Sequence, residues 1–236
     1  MELIFREDAY AKSCTATVSS VDERGIRLDR TVFYPNGGGQ PGDTGVLRFA
    51  GGAVRIADTV KGDGGPDDVI HVPETGAALP APGTAVEAEI DWDRRHRHMR
   101  MHTVLHLVCA VLPGASITGA QVGEERSRVD FNVPTESLDK QAIADAINRL
   151  IAADTPVAPR WITDEELDAQ PDLIRTLTVT PPRGHGRVRL VDIEGVDLQP
   201  CGGTHVARLG EIGTVEVVKI ENKGKQNRRV VVALKD

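Results

Sequence analysis

The sequence predicts an α+β protein, with a small N-terminal β-barrel over residues 1–90 followed by a domain of antiparallel sheet and helices over residues 91–236. Three observations lead to this fold class. Residues 1–90 alternate apolar and polar side chains in short stretches bounded by glycine, as antiparallel hairpins do. A helical apolar period begins near Asp91. After it, strand-like and helix-like stretches are mixed and mostly joined by short turns, which is typical of an α+β domain.

The first domain contains two hairpin patterns and no convincing helix. They are "CTATVSSVDERGIRLDRTVFYP" and "GVLRFAGGAVRIADTVKG", the second with Gly51-Gly52 at its turn. "AVEAEIDW" supplies a further strand. Because closure removes the exposed sheet edges, a small barrel is the expected arrangement.

The second domain opens with the helix pattern "DWDRRHRHMRMHTVLHLVCAVLPG", which Asp91 or Asp93 can cap and Pro113-Gly114 can stop. A second helix is expected in "PTESLDKQAIADAINRLIAADTP", with Thr135 or Ser137 as its cap. A short third one is expected in "TDEELDAQPDL". Strands are expected in "RSRVDFNV", "APRWIT", "RVRLVDI", "GTVEVVKIENKG" and "RRVVVAL".

The composition is that of a soluble globular protein, with 40% hydrophobic and 27% charged residues among 236. No apolar run reaches the roughly 18 residues of a membrane-spanning helix. The N-terminal stretch carries early acidic residues and no long apolar core, so no signal peptide is expected. Three widely spaced cysteines do not form a disulfide framework. A cytoplasmic protein with reduced thiols is therefore expected.

Charge is distributed unevenly along the chain. The net charge of −7 argues against sequence-blind binding of nucleic acid. Positive groups are nevertheless concentrated in "RRHRHMR" (94–100) and "KGKQNRR" (223–229). Such runs are usually solvated surfaces, but a local basic patch on an acidic body can also guide a phosphate backbone.

Two short pairs of soft ligands predict a metal site. Cys201 and His205 bracket Gly-Gly-Thr in "CGGTH", and His102 and His106 lie four residues apart in "HTVLH". On a helix that second spacing places both imidazoles on one face, one turn apart. Three imidazoles and one thiolate form a set that Zn²⁺ prefers. The sequence therefore predicts one zinc site shared by the two pairs.

The kind of zinc site stays open at this point. The helix spacing is that of a metalloprotease, but residue 103 is Thr and not the Glu that acts there as general base, which argues against a zinc protease. Four protein ligands close a tetrahedral shell, as in structural sites, whereas a catalytic site keeps one position for water or substrate. A catalytic role would require one loose ligand, or a shell that expands when substrate arrives.

"MHTVLH" followed by "CGGTH" resembles the editing domain of alanyl-tRNA synthetase and its free-standing relatives, the AlaX-type alanyl-tRNA editing proteins. "FYPNGGGQPGDTG" resembles the glycine-rich motif that precedes that domain in the same family. Further matches, in the same order, are "RSRVDF", "VRLVDIEGVDLQPCGGTHV" and "GEIGTVEVVKIENKGKQNRR". The resemblance covers nearly the whole chain and leaves no room for an aminoacylation domain. It therefore implies an editor that acts in trans.

The family implies a zinc-dependent hydrolase that deacylates mischarged Ser-tRNA(Ala), with Gly-tRNA(Ala) as a second candidate substrate. A synthetase pocket built for alanine cannot strongly reject glycine, or serine with its one added hydroxyl. A second site must then remove the ester. The expected partner is the acceptor end of tRNA(Ala); no membrane is expected, and the sequence does not fix the oligomeric state.

The resemblance also implies residue roles. The zinc ligands are His102, His106, Cys201 and His205. Thr118 is a candidate catalytic residue, because it lies where the family places a hydroxyl that senses serine. Asp130 is a second candidate from its residue type alone, as a carboxylate that could assist water. An ordinary strand or turn threonine and a solvated strand carboxylate are the alternatives for these two.

Two further groups are candidates for RNA contact. The glycine-rich loop is expected to cap the pocket near the terminal adenosine, with a flexible hairpin tip as the alternative; its residues are Gly37, Gly38, Gly39 and Gln40. The candidate phosphate-binding residues are Lys223, Lys225, Arg228 and Arg229. With 3% aromatic residues, base stacking is expected to be a minor resource.

Two other functions compete with the alanine-type deacylase. One is a threonyl-type editor, whose domain carries similar ligand pairs; "GGGQP" before the helix favours the alanine type. The other is a non-catalytic, zinc-stabilised RNA-binding module, against which the negative net charge argues.

Overall fold

The computed structural model describes residues 1–133, 138–176, 186–224 and 226–235. The chain divides into two compact units, Met1–Arg97 and His98–Asp236. Both units contain β-sheet, and helices complete a mixed α+β structure, as predicted. Among the described residues, no helix is long and apolar enough to cross a membrane.

Six strands of the first unit close into a barrel in the order β2-β3-β7-β6-β5-β8, which confirms the predicted closure. The short strands β1 and β4 pair in parallel outside it. The strands of this unit are β1 (Glu2–Leu3), β2 (Ser13–Asp22), β3 (Gly25–Leu28), β4 (Arg30–Thr31), β5 (Gly45–Phe49), β6 (Gly52–Lys61), β7 (Val69–Pro73) and β8 (Ala85–Ile90).

The barrel interior is filled by the apolar half of the alternating pattern. Val18, Ile26, Leu47, Ile56 and Ala88 are each at most 1% exposed and belong to one cluster. The polar residues between them face water, so the two-residue period of the sequence matches the two faces of each strand. This match explains why hairpin pattern alone predicted the barrel.

The glycine-rich motif forms a tight turn in the first unit. Gly37 and Gln40 exchange backbone hydrogen bonds of 3.0 Å in both directions. Between them Gly38 has φ 58° and Gly39 has φ 83°. Two successive positive φ values define a mirror-image turn that side chains disfavour, so glycine is required at both positions. The Tyr34 hydroxyl donates to the Gly37 carbonyl over 2.7 Å and holds the turn in place.

The basic run 94–100 is not the solvated patch that charge runs usually form. Arg95 is fully buried, and its Nε lies 3.0 and 2.9 Å from the two carboxylate oxygens of buried Asp43. The same guanidinium donates to the carbonyls of Ala9 and Val32. Since a buried charge is tolerated only when paired and hydrogen-bonded, the motif residue Asp43 explains why Arg95 can lie inside.

The first helix, α1 (Trp92–Val111), begins in the first unit and continues into the second, as the sequence predicted. The described part of the second unit also holds α2 (Lys140–Ala152), α3 (Asp164–Asp168) and 3₁₀ turns at Pro171–Leu173 and Leu209–Ile212. Its strands are β9 (Ser116–Gln121), β10 (Ser127–Asn132), β11 (Val157–Thr163), β12 (Arg187–Ile193), β13 (Asp197–Pro200), β14 (Thr214–Asn222) and β15 (Asn227–Lys235).

These strands form two antiparallel sheets, one in the order β14-β15-β10-β9 and one in the order β11-β12-β13. Ile162, Leu167, Val188 and Leu190 pack on one face of the three-stranded sheet. Its other face carries Asp197 on β13, which contacts α1 through His106. The sheet is therefore covered by apolar packing on one side and by the candidate metal centre on the other.

One predicted helix start was wrong. α2 begins at Lys140, and its cap is Asp139, whose carboxylate accepts from the backbone N–H groups of Gln141 and Ala142. Thr135 and Ser137, the predicted caps, lie outside the described residues and precede this start. An aspartate at this position satisfies two N–H groups that the helix itself leaves without partners, so it competes directly with the Ser/Thr pattern.

Candidate metal centre

The structure brings the four predicted ligands together. One donor atom each from His102, His106, Cys201 and His205 lies within 4.8 Å of the others. The Cys201 Sγ is 3.6 Å from the His102 Nε2 and 3.3 Å from the His205 Nε2. Ligand atoms of a tetrahedral zinc site with ordinary bond lengths stand about 3.6 Å apart. The two Cys201 separations match this value, and the four side chains together could hold one metal ion.

Two local structures position these ligands. His102 and His106 lie one turn apart on α1, with ring centroids separated by 5.7 Å. Cys201 and His205 lie in the loop that follows β13, where the Gly203 N–H points to the Cys201 Sγ over 3.4 Å. A Cβ added at Gly202 would meet nothing within 4 Å, so close packing does not explain that glycine.

Arg189 on β12 fixes the loop from the side. Its Nη1 donates to the carbonyl oxygens of Cys201 and Gly203 over 2.8 and 3.0 Å. The Cys201 N–H in turn donates to the Arg189 carbonyl over 3.1 Å. Because the loop is tied to the strand at three points, the Cys201 thiol is held in a defined direction.

A carboxylate orients His106. The His106 Nδ1 lies 2.8 Å from the Asp197 Oδ2, and an ionised carboxylate can only accept, so the ring donates there from Nδ1. The Gln199 amide donates to both Asp197 oxygens, over 2.9 and 2.8 Å, and the Arg175 guanidinium lies 3.6 Å from Oδ1. This tautomer leaves the His106 Nε2 lone pair available to a metal ion.

A hydroxyl orients His205. The Thr103 Oγ1 donates its one proton to the Met99 carbonyl, 2.9 Å away in the preceding helical turn. The same oxygen therefore accepts from the His205 Nδ1, 3.1 Å away, and from the Val206 N–H at 3.4 Å. His205 is thus also held with Nε2 towards the cluster. Hydrogen bonds of this kind behind the ligands are characteristic of metal-binding histidines.

Burial and neighbouring charge displace three pKa values. Burial raises the pKa of the Cys201 thiol, but the neighbouring His102 and His205 outweigh it, and the pKa falls well below the usual thiol value. Burial and His102 lower the pKa of His205 to about 3. Burial also lowers the pKa of His106, but the hydrogen bonds and negative charges of Asp197 and Cys201 together outweigh burial and raise it to about 10. Thiolate and neutral imidazole are the forms that bind metal, so Cys201 and His205 are already in their binding forms, whereas His106 would release its Nε2 proton when an ion binds.

The two candidate catalytic residues lie on neighbouring strands of the four-stranded sheet. Thr118 is on β9 and half-buried, and Asp130 on β10 pairs with Gly119 across the ladder. Both Asp130 oxygens accept from Arg229, over 2.7 and 2.8 Å, and Oδ2 also accepts from Arg128 over 2.7 Å. Burial raises the pKa of Asp130, but these guanidinium groups outweigh burial, so the net shift is downward.

The four predicted phosphate-binding residues have different environments. Lys223 is exposed and lies 3.5 Å from Glu221. Arg228 is 6% exposed and donates to the carbonyls of Gly224 and Asn227. Arg229 forms the ion pair with Asp130. Lys225 lies outside the described residues. The run is therefore divided between the sheet interior and its surface.

Sequence reasoning missed the residues that orient the ligands. The sequence marks Thr103 only as the position where a metalloprotease helix has glutamate, and it marks neither Asp197 nor Arg189. A signal for Asp197 does exist, since it stands four residues before Cys201 in "DLQPC". The pairing that brings Arg189 to the ligand loop depends on strand register, which the sequence does not display.

Two matches to known protein families are consistent with the candidate metal centre. Residues 188–231 match the threonyl and alanyl tRNA synthetase second additional domain, and residues 6–94 match class II (A) tRNA synthetases. The match to the second additional domain includes Cys201 and His205, and α1 supplies the other two ligands. The fold, the family matches and the candidate metal centre thus define a protein built on a domain shared with aminoacyl-tRNA synthetases.

Comparison with individual relatives identifies the family within this class of proteins. The chain is 42% identical over its full length to alanyl-tRNA editing protein AlaX-M of Methanosarcina barkeri, of which it covers 99%. It is 34% identical over 99% of its length to the AlaX-M protein of Saccharolobus solfataricus, again with 99% coverage. An alanine–tRNA ligase of Pyrobaculum neutrophilum is 36% identical over 92% of the chain, which spans 25% of that enzyme. The chain belongs to the family of AlaX-type alanyl-tRNA editing proteins.

Proposed function

We propose that this chain is a zinc-dependent hydrolase that removes serine, and also glycine, from mischarged tRNA(Ala). As a member of the editing family it is an enzyme, an aminoacyl-tRNA deacylase that cleaves a carboxylic ester. The observation that carries the proposal is the cluster of three imidazoles and one thiolate, of which two imidazoles are oriented by Asp197 and Thr103. The full-length similarity to AlaX-M proteins supports the alanyl-tRNA class of substrate.

A zinc ion held by these four residues would supply positive charge to polarise the ester carbonyl, hold the substrate amine, or lower the pKa of a water. The chain's own contribution is orientation. Asp197 and Thr103 fix the ring tautomers, and Arg189 fixes the loop that carries Cys201. Such fixed geometry lowers the reorganisation needed during the reaction.

We propose that the Thr118 hydroxyl is the polar partner of the serine hydroxyl, and that Asp130 positions water. The ion pairs with Arg229 and Arg128 keep Asp130 ionised. A carboxylate with a lowered pKa is a weak general base. Its expected role is therefore to accept a hydrogen bond from water and not to remove the proton.

For tRNA we propose that Lys223 makes phosphate contacts, together with Lys225, Arg228 and Arg229. The exposure of Lys223 supports its role directly. Arg228 and Arg229 would need to exchange their present partners for phosphate, so their expected contributions are smaller. We further propose that the turn formed by Gly37, Gly38, Gly39 and Gln40 contacts the substrate near the terminal adenosine, and that the enzyme acts in the cytoplasm, where its three free cysteines would stay reduced.

The test is a panel of charged tRNAs. Ser-tRNA(Ala), Gly-tRNA(Ala), Ala-tRNA(Ala) and Ser-tRNA(Thr) are incubated with the protein, and ester loss is followed over time. We expect rapid loss of serine and glycine from tRNA(Ala), with Ala-tRNA(Ala) spared. Cleavage of Ser-tRNA(Thr) alone would favour a threonyl-type editor. Binding of tRNA without any cleavage would favour a non-catalytic module.

A further inference from the structure

We propose that Trp161 and Arg187 form the subsite that binds the terminal adenosine of the RNA substrate, with the indole stacking on the base and the guanidinium facing the phosphate. This inference rests on the proposed function and extends it to two residues that have no role predicted from the sequence. It concerns the three-stranded sheet of the second unit.

The two residues share a sheet face with the residues behind the metal centre. In the ladder Trp161 is opposite Arg189, Val191 is opposite Gln199, and Ile193 is opposite Asp197. Directly opposed residues point to the same face, and so do alternate residues of one strand. Trp161, Arg187 and Arg189 therefore project on the side that carries Asp197, which orients His106.

One row across the sheet joins Trp161 to a metal ligand. Arg189 is paired with Trp161 on one side, and on the other it exchanges hydrogen bonds with Cys201. Adjacent strands are about 4.8 Å apart, so the backbones at Trp161 and Cys201 are about 10 Å apart. The ester to be cleaved is on the ribose that carries the terminal base. A base stacked at Trp161 would thus leave its ribose within reach of the ligand cluster.

The chemistry of the pair suits a nucleotide. The Arg187 guanidinium lies 4.2 Å from the centroid of the Trp161 ring, the indole is half-buried, and Arg187 is exposed. Because the cation lies over one face of the ring, the opposite face is the one that a base would stack on, and the cation supplies a charge for its phosphate. Only 3% of the residues in the chain are aromatic, so an indole at this distance from the ligands is a rare resource.

The same pair also stabilises the sheet surface, since diagonal neighbours on one face attract each other. The test therefore needs a readout that folding stability does not move. The chain has two tryptophans, so Trp92→Phe leaves Trp161 as the single tryptophan, whose emission can be excited selectively over that of the two tyrosines. The probe is an uncharged acceptor-stem RNA hairpin that ends in adenosine, compared with the same hairpin ending in an abasic ribose and with AMP alone.

We expect the adenosine-ended hairpin to quench Trp161 emission and the abasic hairpin to leave it unchanged. In the otherwise natural chain, Trp161→Ala should weaken binding of the adenosine-ended hairpin about 5- to 100-fold and bind the abasic one as before. Arg187→Gln should reduce the salt dependence of binding by about one phosphate contact. Arg160→Gln is the matched control, because Arg160 is an exposed cation on the same strand that points to the opposite face.

Equal binding of both hairpins by Trp161→Ala and the natural chain would overturn the proposal. So would quenching by AMP with the same affinity as the hairpin, which would indicate a site for free nucleotides. Because the probes carry no ester, failure of deacylation would not affect these results. Conversely, deacylation that is unaffected by Trp161→Ala, with no adenosine-dependent quenching, would remove the subsite and leave the proposed function standing.

Discussion

Thr103 and His205 are joined by a 3.1 Å hydrogen bond in which the threonine hydroxyl accepts from the imidazole Nδ1. The helix carries the two-histidine spacing of a metalloprotease, but the residue after the first histidine supports a ligand from another part of the chain. A glutamate there would supply a base. A buried hydroxyl that is already committed to the Met99 carbonyl supplies only an acceptor, and so fixes the tautomer of His205.

The first prediction concerns that hydroxyl. Thr103→Val keeps the volume of the buried side chain but leaves the His205 Nδ1 without its acceptor. We expect zinc affinity to fall about 10- to 100-fold, as for other residues behind metal ligands. Competition with a chromophoric chelator measures this affinity. Thr103→Ser, which retains the oxygen, is the control and should stay close to the natural affinity; equal affinity in all three proteins would remove Thr103 from the metal site.

The second prediction concerns Asp197. Asp197→Asn replaces an anion behind His106 by a neutral amide, and zinc affinity is again expected to fall about 10- to 100-fold. The matched control is Asp192→Asn, since Asp192 is a half-buried carboxylate on the neighbouring strand, 4.0 Å from exposed Arg160. Zinc content after dialysis against a chelator separates the variants. Equal losses of zinc in the two variants would mean that removing any carboxylate from this sheet lowers zinc affinity.

The sequence predicted the four candidate metal ligands but not the residues that orient them, and the reason is physical. Soft ligands at helical and loop spacings are rare, so His102, His106, Cys201 and His205 are visible without the fold. Asp197 and Thr103 are ordinary residue types whose role arises only when separate segments meet. Arg95 shows this limit most clearly. Its charge predicts exposure to solvent, whereas the residue is buried against Asp43, which lies 52 positions away along the chain.

The same limit applies to the fold. Long alternating strands such as β2 and β6 were predicted, because pattern and burial coincide over ten residues. The short strands β7 and β13 were not predicted. In β7 three consecutive residues, Val69, Ile70 and His71, are buried, so no alternation is available to read. Their pairing is decided by the neighbouring strands.

The third prediction concerns the buried pair of Arg95 and Asp43. Arg95→Met leaves the Asp43 carboxylate buried without its cation, and unfolding free energy should fall by about 3 to 5 kcal/mol. Urea unfolding measures the loss. The double change Arg95→Met with Asp43→Asn removes both charges and should recover part of it. If the double variant is less stable than Arg95→Met alone, the unpaired Asp43 carboxylate is not what destabilises the single variant.

The fourth prediction is a pH dependence that arises in the first unit. His71 is fully buried; its Nδ1 donates to the Ile26 carbonyl, and its Nε2 lies 2.8 Å from the Thr31 hydroxyl. Burial lowers the pKa of His71 from 6.5 to about 4. Above pH 6.5 the ring is neutral in the folded and unfolded states, and the group adds no pH dependence. As pH falls from 6.5 to 4, only the unfolded state takes up the proton, so stability decreases.

The decrease at pH 4 should reach about 3 kcal/mol from this group. Urea unfolding at pH 7, 5.5 and 4.5 measures it, and His71→Gln serves as the comparison because it cannot titrate there. The variant should be less stable at pH 7 but should lose less stability on acidification. Parallel stability–pH curves for the two proteins would show that His71 does not resist protonation.

We propose that zinc on His102, His106, Cys201 and His205 is required for deacylation. The most direct measurement is the rate of Ser-tRNA(Ala) deacylation by chelator-stripped protein as zinc is added back, with circular dichroism recorded at each step. We predict that the stripped protein keeps its folded spectrum, is inactive, and regains full activity at one zinc per chain. Full activity before any zinc is added, with the ligands intact, would show that deacylation does not require zinc.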